Sequence, residues 1–129
     1  MHANPKGLTV VGLVLTALVA LLLTFSAVMK FLRPPEMIEQ FEGVLGYPAR
    51  LAVPIGMVEL LCVVLFIIPR TAALGAVLLT GYLGGAIATH VRIGDQFIAP
   101  VIVGVVVWLA LFMRDPRVRS LLPLRRTTR

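Results

Sequence analysis

The sequence predicts an all-α fold: an integral membrane four-helix bundle with a short amphipathic helix between the first and second spans. Of the 129 residues, 59% are hydrophobic and 14% are charged, whereas a soluble domain is about 45–50% apolar and about 25% charged. Four long apolar stretches are joined by short polar connections, a pattern typical of antiparallel helices in a bundle. A soluble domain of this size could not bury such an apolar excess. The composition therefore argues against a soluble enzyme and against a disordered or fibrous chain.

The first apolar stretch, residues 8–29, carries no charge and is long enough to cross about 30 Å of hydrocarbon. Because Lys6 precedes it, a secretory signal peptide is the alternative. The run is longer than the apolar core of a signal peptide, and no A-x-A cleavage site follows it. We therefore predict a retained membrane anchor.

The polar connection after the first span has helical order of its own. Pro34 and Pro35 suit the first turn of a helix, and Gly46 and Pro48 are typical of its end. Apolar residues recur at helical spacing with glutamates between them: Met37, Ile38, Phe41, Val44 and Leu45, with Glu36, Glu39 and Glu42. This pattern predicts an amphipathic helix that lies on the bilayer or caps the bundle.

Three further spans are predicted at about residues 48–68, 71–91 and 97–113. The second span contains Pro54 in its first half and Glu59 well inside it. Pro69 marks a tight turn before the third span, and Pro116 follows the end of the fourth. Because the chain has no internal repeat and no long connection, residues 1–129 are predicted to form a single domain.

The positive charge predicts the topology. The chain carries 12 Lys and Arg against 6 Asp and Glu. Six of the arginines form a basic tail over residues 114–129: Arg114, Arg117, Arg119, Arg125, Arg126 and Arg129. This tail would share one side of the membrane with Lys6 and Arg70, while Lys30, Arg33, Arg50 and Arg92 occupy the other. The positive-inside rule then puts both termini in the cytoplasm of a multi-pass inner-membrane protein, with the tail near anionic lipid.

Glu59 is the most informative single residue. An ionised carboxylate in hydrocarbon costs several kcal/mol, so it must be protonated, paired or turned towards an interior cavity. The position of Glu59 is about two to three turns from the outer end of its helix, and shallower if the helix starts at Pro54. Two interpretations stay open: a structural ion pair or hydrogen bond between helices, and a role in ligand binding or proton handling.

His90 is the natural partner of Glu59, because the tight turn between the second and third spans makes these helices antiparallel neighbours. Arg92 and Asp95 follow directly, and Lys30 stands at the corresponding end of the first span. We predict a polar cluster of these five residues near the outer face, able to hold a polar ligand group or move a proton. The alternative is a histidine that only forms hydrogen bonds at the membrane surface.

The third span is rich in small residues. Gly81 and Gly85 have G-x-x-x-G spacing, and Gly84 belongs to a second small stripe on an adjoining face. Small residues let membrane helices approach closely, which is the first interpretation of these glycines. The second is a groove that admits a flat lipid-soluble ligand such as a quinone.

Several other kinds of site find no support in the sequence. His2 is the only other histidine and lies at the opposite end, so no metal site is predicted. Cys62 is the only cysteine, which excludes an internal disulfide or dithiol. The basic tail has no aromatic residue for stacking on bases, so no nucleic-acid partner is expected. No catalytic motif is present, and we do not expect a stand-alone enzyme.

The run from Gly81 to Asp95, GYLGGAIATHVRIGD, resembles the signature of the DoxX-like family of small bacterial membrane proteins. The resemblance continues over roughly residues 8 to 123: FSAVMKFL from Phe25, GYP from Gly46, IGMVEL from Ile55, PRT from Pro69 and RDPR from Arg114. Ala27 departs from the family, which often has glycine there. The polar positions carried over from the family are Lys30, Glu59, His90 and Arg92, the same residues that the argument from burial selects.

The resemblance implies a four-helix membrane protein and little firm biochemistry. The family takes its name from a link to quinol and thiosulfate oxidation, and some relatives are associated with membrane redox complexes. The first hypothesis is accordingly a non-catalytic subunit or accessory of a redox or quinone-linked membrane complex, with quinone or lipid as ligand and redox proteins as partners. The alternatives are a small proton-coupled transporter that uses Glu59, which would need a homo-oligomer, and a structural or chaperone-like membrane helper.

Overall fold

A computed structural model describes residues 5–121, and every regular element within that range is helical. Six α-helices follow one another: α1 Pro5–Leu32, α2 Pro35–Glu39, α3 Ala52–Ile67, α4 Ala72–Arg92, α5 Ile98–Arg114 and α6 Pro116–Arg119. A π-helical turn, Gln40–Val44, continues α2, and 3-10 turns at Ala49–Leu51 and Pro69–Thr71 lead into α3 and α4. The prediction of an all-α membrane bundle is confirmed, and the long helices agree with the predicted spans to within a few residues.

The helix ends follow from proline and backbone conformation. Helix α1 ends where Arg33 adopts a left-handed conformation with φ of 55°, directly before Pro34 and Pro35. Pro54 lies in the first turn of α3, where a missing N–H removes no hydrogen bond. Asp115 is extended, with ψ of 108°, as expected for a residue before proline, and this ends α5.

The four long helices form a ring in which α1 packs against α3 and α5, and α4 packs against the same two helices. We call the two ends of this ring the α2 end and the Arg114 end. The buried apolar core lies towards the Arg114 end and contains the fully buried Phe66, Leu79, Val107 and Leu111. The α2 end is not filled in the same way, and the bundle therefore has a packed half and a hollow half.

The closest helix contacts are made by glycines other than the three that the sequence singled out. A Cβ on Gly75 would lie 2.5 Å from Phe66 Cα, so α4 touches the backbone of α3 there. A Cβ on Gly12 would lie 2.8 Å from the backbone nitrogen of Arg114, which brings α1 against α5. By contrast, a Cβ on Gly81, Gly84 or Gly85 would meet nothing within 4 Å. Among the described residues, these three glycines therefore make no such close contact, and a role for them in helix packing stays a prediction.

The outward faces of the bundle are apolar. Large side chains on every long helix are strongly exposed, for example Leu21 at 69%, Met57 at 61% and Val105 at 62%. Three helices of the described chain are long and apolar enough to cross a membrane: Lys6–Leu32, Ala49–Ile67 and Pro69–Arg92. The fourth, Ile98–Arg114, is apolar but has 17 residues. Such a surface is that of a protein surrounded by lipid.

Candidate functional site

The hollow half of the bundle contains a cavity of about 540 Å³ between α1, α3, α4 and α5, with the α2 segment across its end. Its walls are mainly apolar and include Leu22, Leu23, Ile55, Leu83 and Val103. Polar side chains line the same space: Ser26, Lys30, Tyr47, Glu59, Tyr82, Thr89 and His90. We call this space the cavity. An apolar pocket with a few converging polar groups is the usual form of a small-molecule site.

Lys30 and Glu59 form the polar centre of the cavity. The Lys30 ammonium lies 3.0 Å from Glu59 Oε1 and also donates to Ser26 Oγ at 2.7 Å. The Glu59 side chain is 2% exposed and the Lys30 side chain 16%. Gly56 leaves room for Lys30 beside α3, since a Cβ at residue 56 would lie 3.0 Å from Lys30 Cβ. The buried carboxylate is thus neutralised by a cation from the neighbouring helix, as a charge in a membrane requires.

Two tyrosines and a threonine belong to the cavity, although the sequence analysis did not select them. Tyr82 on α4 lines the same space as Glu59. The Tyr47 hydroxyl lies 2.7 Å from Thr89 Oγ1, which also donates to the Gly85 carbonyl at 2.8 Å. Tyr82 and Thr89 are seven residues apart, two helical turns, and therefore share one face of α4. The seven-residue spacing of Tyr82 and Thr89, on the same span as His90, is the sequence signal that could have identified both as cavity residues.

The structure divides the predicted five-residue cluster. His90 lines the cavity together with Lys30 and Glu59, but its Nδ1 lies 3.3 Å from Asp95 Oδ2. Arg92 does not join Glu59, because its guanidinium turns outwards and donates to the Leu45 carbonyl at 2.7 Å. Among the predicted partners, only Lys30 contacts Glu59 directly. The rotation of α4 directs Arg92 towards the α2 segment instead.

The predicted glycines have two different positions. Gly81 and Gly85 line the cavity, whereas Gly84 does not, although all three are exposed and open. The missing side chains therefore widen the space beside α4. A role of these glycines in ligand binding stays a prediction.

The Arg114 end has a polar network of its own, which belongs to the packed half. Arg114 donates to Thr16 Oγ1 at 2.7 Å and to the Phe66 carbonyl, and its guanidinium carbon lies 4.6 Å from the centre of the Phe66 ring. Arg114 thus holds α1, α3 and α5 together and is not part of a free basic tail. Residues 122–129 of the predicted tail, including Arg125, Arg126 and Arg129, lie outside the described residues, as does His2.

Comparison with known proteins decides the family. The family model described as "DoxX-like family" matches residues 14–113, which is most of the chain. The chain belongs to the DoxX-like family. Neither a curated protein nor a solved structure matches it.

The matched region of this DoxX-like chain contains Lys30, Glu59, Tyr82 and His90, and thus the polar centre of the cavity. Across residues 5–121, no three His, Cys, Asp or Glu side chains are grouped so as to hold a metal ion. In the same range, no buried side-chain nitrogen or oxygen lacks a hydrogen-bond partner. The charges of Lys30 and Glu59 at the cavity are therefore balanced by each other.

Proposed function

We propose that this DoxX-like membrane protein is a non-catalytic subunit or accessory that binds a lipid-soluble molecule with a neutral polar head, a quinone, in the cavity. The observation that carries the proposal is the cavity itself: about 540 Å³ of mostly apolar space with Lys30, Glu59 and His90 in its lining. Small-molecule sites in proteins have volumes of about 300–1,000 Å³ and the same division between apolar walls and few polar groups.

The charge of the cavity favours a neutral head group. The positive charge of Lys30 is balanced by Glu59 at 3.0 Å. An ammonium has three N–H donors, and among the described residues Ser26 and Glu59 accept two of them. The third is available to a carbonyl oxygen of the ligand, and His90 offers a second polar group on the opposite helix. A quinone ring carries two carbonyl oxygens and no charge, which matches this arrangement.

The subunit role follows from the chain's limited redox chemistry. The sequence has one cysteine, so no dithiol can form within the chain. A quinone held in the cavity would therefore exchange electrons with a partner redox protein in the membrane. The chain's own contribution would be to bind and orient the ring.

Binding of a short-chain quinone to the purified protein in lipid nanodiscs tests the proposal. Gly85→Leu introduces a side chain into the cavity wall, and Gly84→Leu adds the same side chain at an open position outside it. We expect saturable binding by the wild type, a loss of about tenfold or more in affinity for Gly85→Leu, and little change for Gly84→Leu. Absence of saturable binding, or equal losses in both variants, would overturn the proposal.

We further infer that the Arg114 end faces the cytoplasm of a bacterial inner membrane, with both termini on that side. Arg70, Arg114, Arg117 and Arg119 all lie at this end, which supports the assignment by the positive-inside rule. In a Cys62→Ser background, Gly43→Cys should react with an impermeant maleimide added to spheroplasts. Ser120→Cys should react only after the membrane is permeabilised, and the reverse pattern would refute this orientation.

The proton-coupled transporter is the second candidate, because Glu59 is buried beside a cavity. The ion pair with Lys30 disfavours it, since a coupling carboxylate must release its partner to take up a proton. Uptake into proteoliposomes by wild type and Glu59→Gln distinguishes the two functions. Equal uptake in both would reject Glu59 as the coupling group.

A further inference from the structure

A second space adjoins the cavity on the outside of α1. It has a volume of about 550 Å³ and lies between α1 and the α2 segment, residues 35–44. We call it the groove. It shares six lining residues with the cavity: Leu22, Ser26, Lys30, Phe41, Leu45 and His90. The two spaces are therefore neighbours with a common wall.

The groove has the composition of a membrane interface. Its α1 side presents Met29, which is half-buried, and Phe25, which is 65% exposed on the outside of the bundle. Its α2 side presents Met37 together with the polar Glu36 and Gln40. An amphipathic molecule in the adjacent leaflet would meet apolar side chains at the depth of its chain and polar ones at the depth of its head.

Phe41 is part of the wall between the groove and the cavity. It lines both spaces and is 5% exposed. It is also the buried residue of the α2 segment. Its ring packs against Tyr47 with 5.4 Å between centroids, and it stands in the π-helical turn Gln40–Val44. Movement of this one side chain would connect the two spaces.

The α2 segment is fixed at its two ends, and Phe41 is its buried residue between them. At the beginning, Arg33 and Pro34 form the left-handed connection from α1. At the end, Arg92 donates to the Leu45 carbonyl at 2.7 Å, and Tyr47 bonds to Thr89 at 2.7 Å. Such an attachment lets the middle of the segment shift without separating its ends from the bundle.

We propose that the groove is a loading site, through which the lipid-soluble ligand of the cavity leaves the leaflet at the α2 end and passes Phe41. This inference rests on the proposed function, because it takes the cavity to be the ligand's final position. It adds the source of the ligand, which is the membrane and not the aqueous phase, and the residue that limits the rate of its entry.

Binding kinetics in nanodiscs test the loading site. Phe41→Ala removes the barrier for entry and for exit, so the association and dissociation rates of a short-chain quinone should both rise about tenfold. Because Phe41 also lines the cavity, its truncation removes contacts with the bound quinone and should raise the dissociation constant, so the rise in the association rate is the result that tests the barrier to entry. Phe41→Leu keeps an apolar side chain at the position and should give a smaller increase in both rates. Phe97→Ala is the matched control, since Phe97 lines neither space.

A substitution in the groove alone tests the route independently. Met29→Trp narrows the groove without touching the cavity, and it should slow both rates about tenfold. Leu21→Trp is the control on the lipid-exposed surface of the same helix, because Leu21 lines neither space. If the wild type binds quinone but neither Phe41 nor Met29 variants change the rates, the loading site is refuted while the proposed function stands. If the wild type binds no quinone, both are refuted.

Discussion

The Lys30 ammonium lies 3.0 Å from the Glu59 carboxylate, and this pair joins the last turn of α1 to α3 in the lining of the cavity. Glu59 is buried about two turns from the beginning of α3, at 1% exposure. Two opposite charges so placed neutralise each other and still leave a polar group facing the cavity. The pair therefore connects the stability of the fold with the chemistry of the proposed site.

Lys30→Met should destabilise the protein strongly, because it leaves Glu59 buried without its cation. Removal of one partner of a buried ion pair costs about 3–5 kcal/mol. Cys62 offers the measurement, since it is the only cysteine and is 3% exposed, so a thiol-reactive dye should report unfolding on heating. The double variant Lys30→Met with Glu59→Leu should recover most of the loss. A double variant as unstable as the single one would show that the pair is not the cause.

Gly75→Ala should destabilise the bundle, whereas Gly84→Ala should not. A Cβ on Gly75 would lie 2.5 Å from Phe66 Cα and 2.7 Å from the Leu65 carbonyl carbon, and backbone atoms cannot rotate away. Overpacking of this kind costs about 1–3 kcal/mol, and more where backbone must move. Gly84 is open, so alanine there should gain up to about 1 kcal/mol of helix propensity. Thermal unfolding of both variants checks the difference, and equal transition temperatures would contradict the contact between α3 and α4.

The sequence predicted the spans because hydropathy and proline positions carry that information directly. Pro34, Pro69 and Pro116 stand at the actual helix boundaries. Glu59 could be selected as well, since a charge within an apolar run must be paired or face a cavity. These predictions needed only the position of a residue along its helix.

The partners of these residues depend on helix rotation, which a nearly uniform apolar sequence does not encode. Arg92 and His90 are two residues apart and therefore point to different sides of α4, so only His90 reaches the cavity. For the same reason glycine spacing could not reveal that Gly75, and not Gly81 or Gly85, makes the close contact. The sequence could not identify Tyr47 as a cavity residue, because its hydrogen-bond partner Thr89 is 42 residues away in the chain.

Arg114→Lys should weaken the packed half of the bundle. Lysine cannot reproduce the planar group that donates to Thr16 and to the Phe66 carbonyl and also covers the Phe66 ring. Loss of one such charged hydrogen bond costs about 1.5–3 kcal/mol. Thermal unfolding should show this decrease, while Arg50→Lys at an exposed position serves as the control. In the Arg114→Lys background, Thr16→Val should cause little further loss of stability. An equal loss from Thr16→Val in the wild type and in the Arg114→Lys variant would contradict a shared network.

The ionised Asp115 side chain should stabilise the folded protein, and this stabilisation should be lost in acid. Partial burial alone raises the pKa of this carboxyl, but hydrogen bonds from Arg117 outweigh burial, and the pKa lies below its ordinary value of 3.8. The shortest of these contacts joins the Arg117 backbone N–H to Asp115 Oδ1 at 2.9 Å, at the beginning of α6. A group whose pKa is lower in the folded state stabilises the fold above its unfolded-state pKa, and the contribution disappears as the pH falls through the folded-state pKa.

Asp115→Asn isolates this stabilisation, because asparagine keeps an acceptor for the Arg117 N–H but has no charge to titrate. The wild type should have the higher unfolding temperature near neutral pH. The difference between the two proteins should shrink as the pH falls below 3.8 and vanish in stronger acid. Glu39→Gln on α2 controls for the loss of one negative charge elsewhere. A difference between wild type and Asp115→Asn that stays constant across this pH range would mean that the charge on Asp115 does not stabilise the fold.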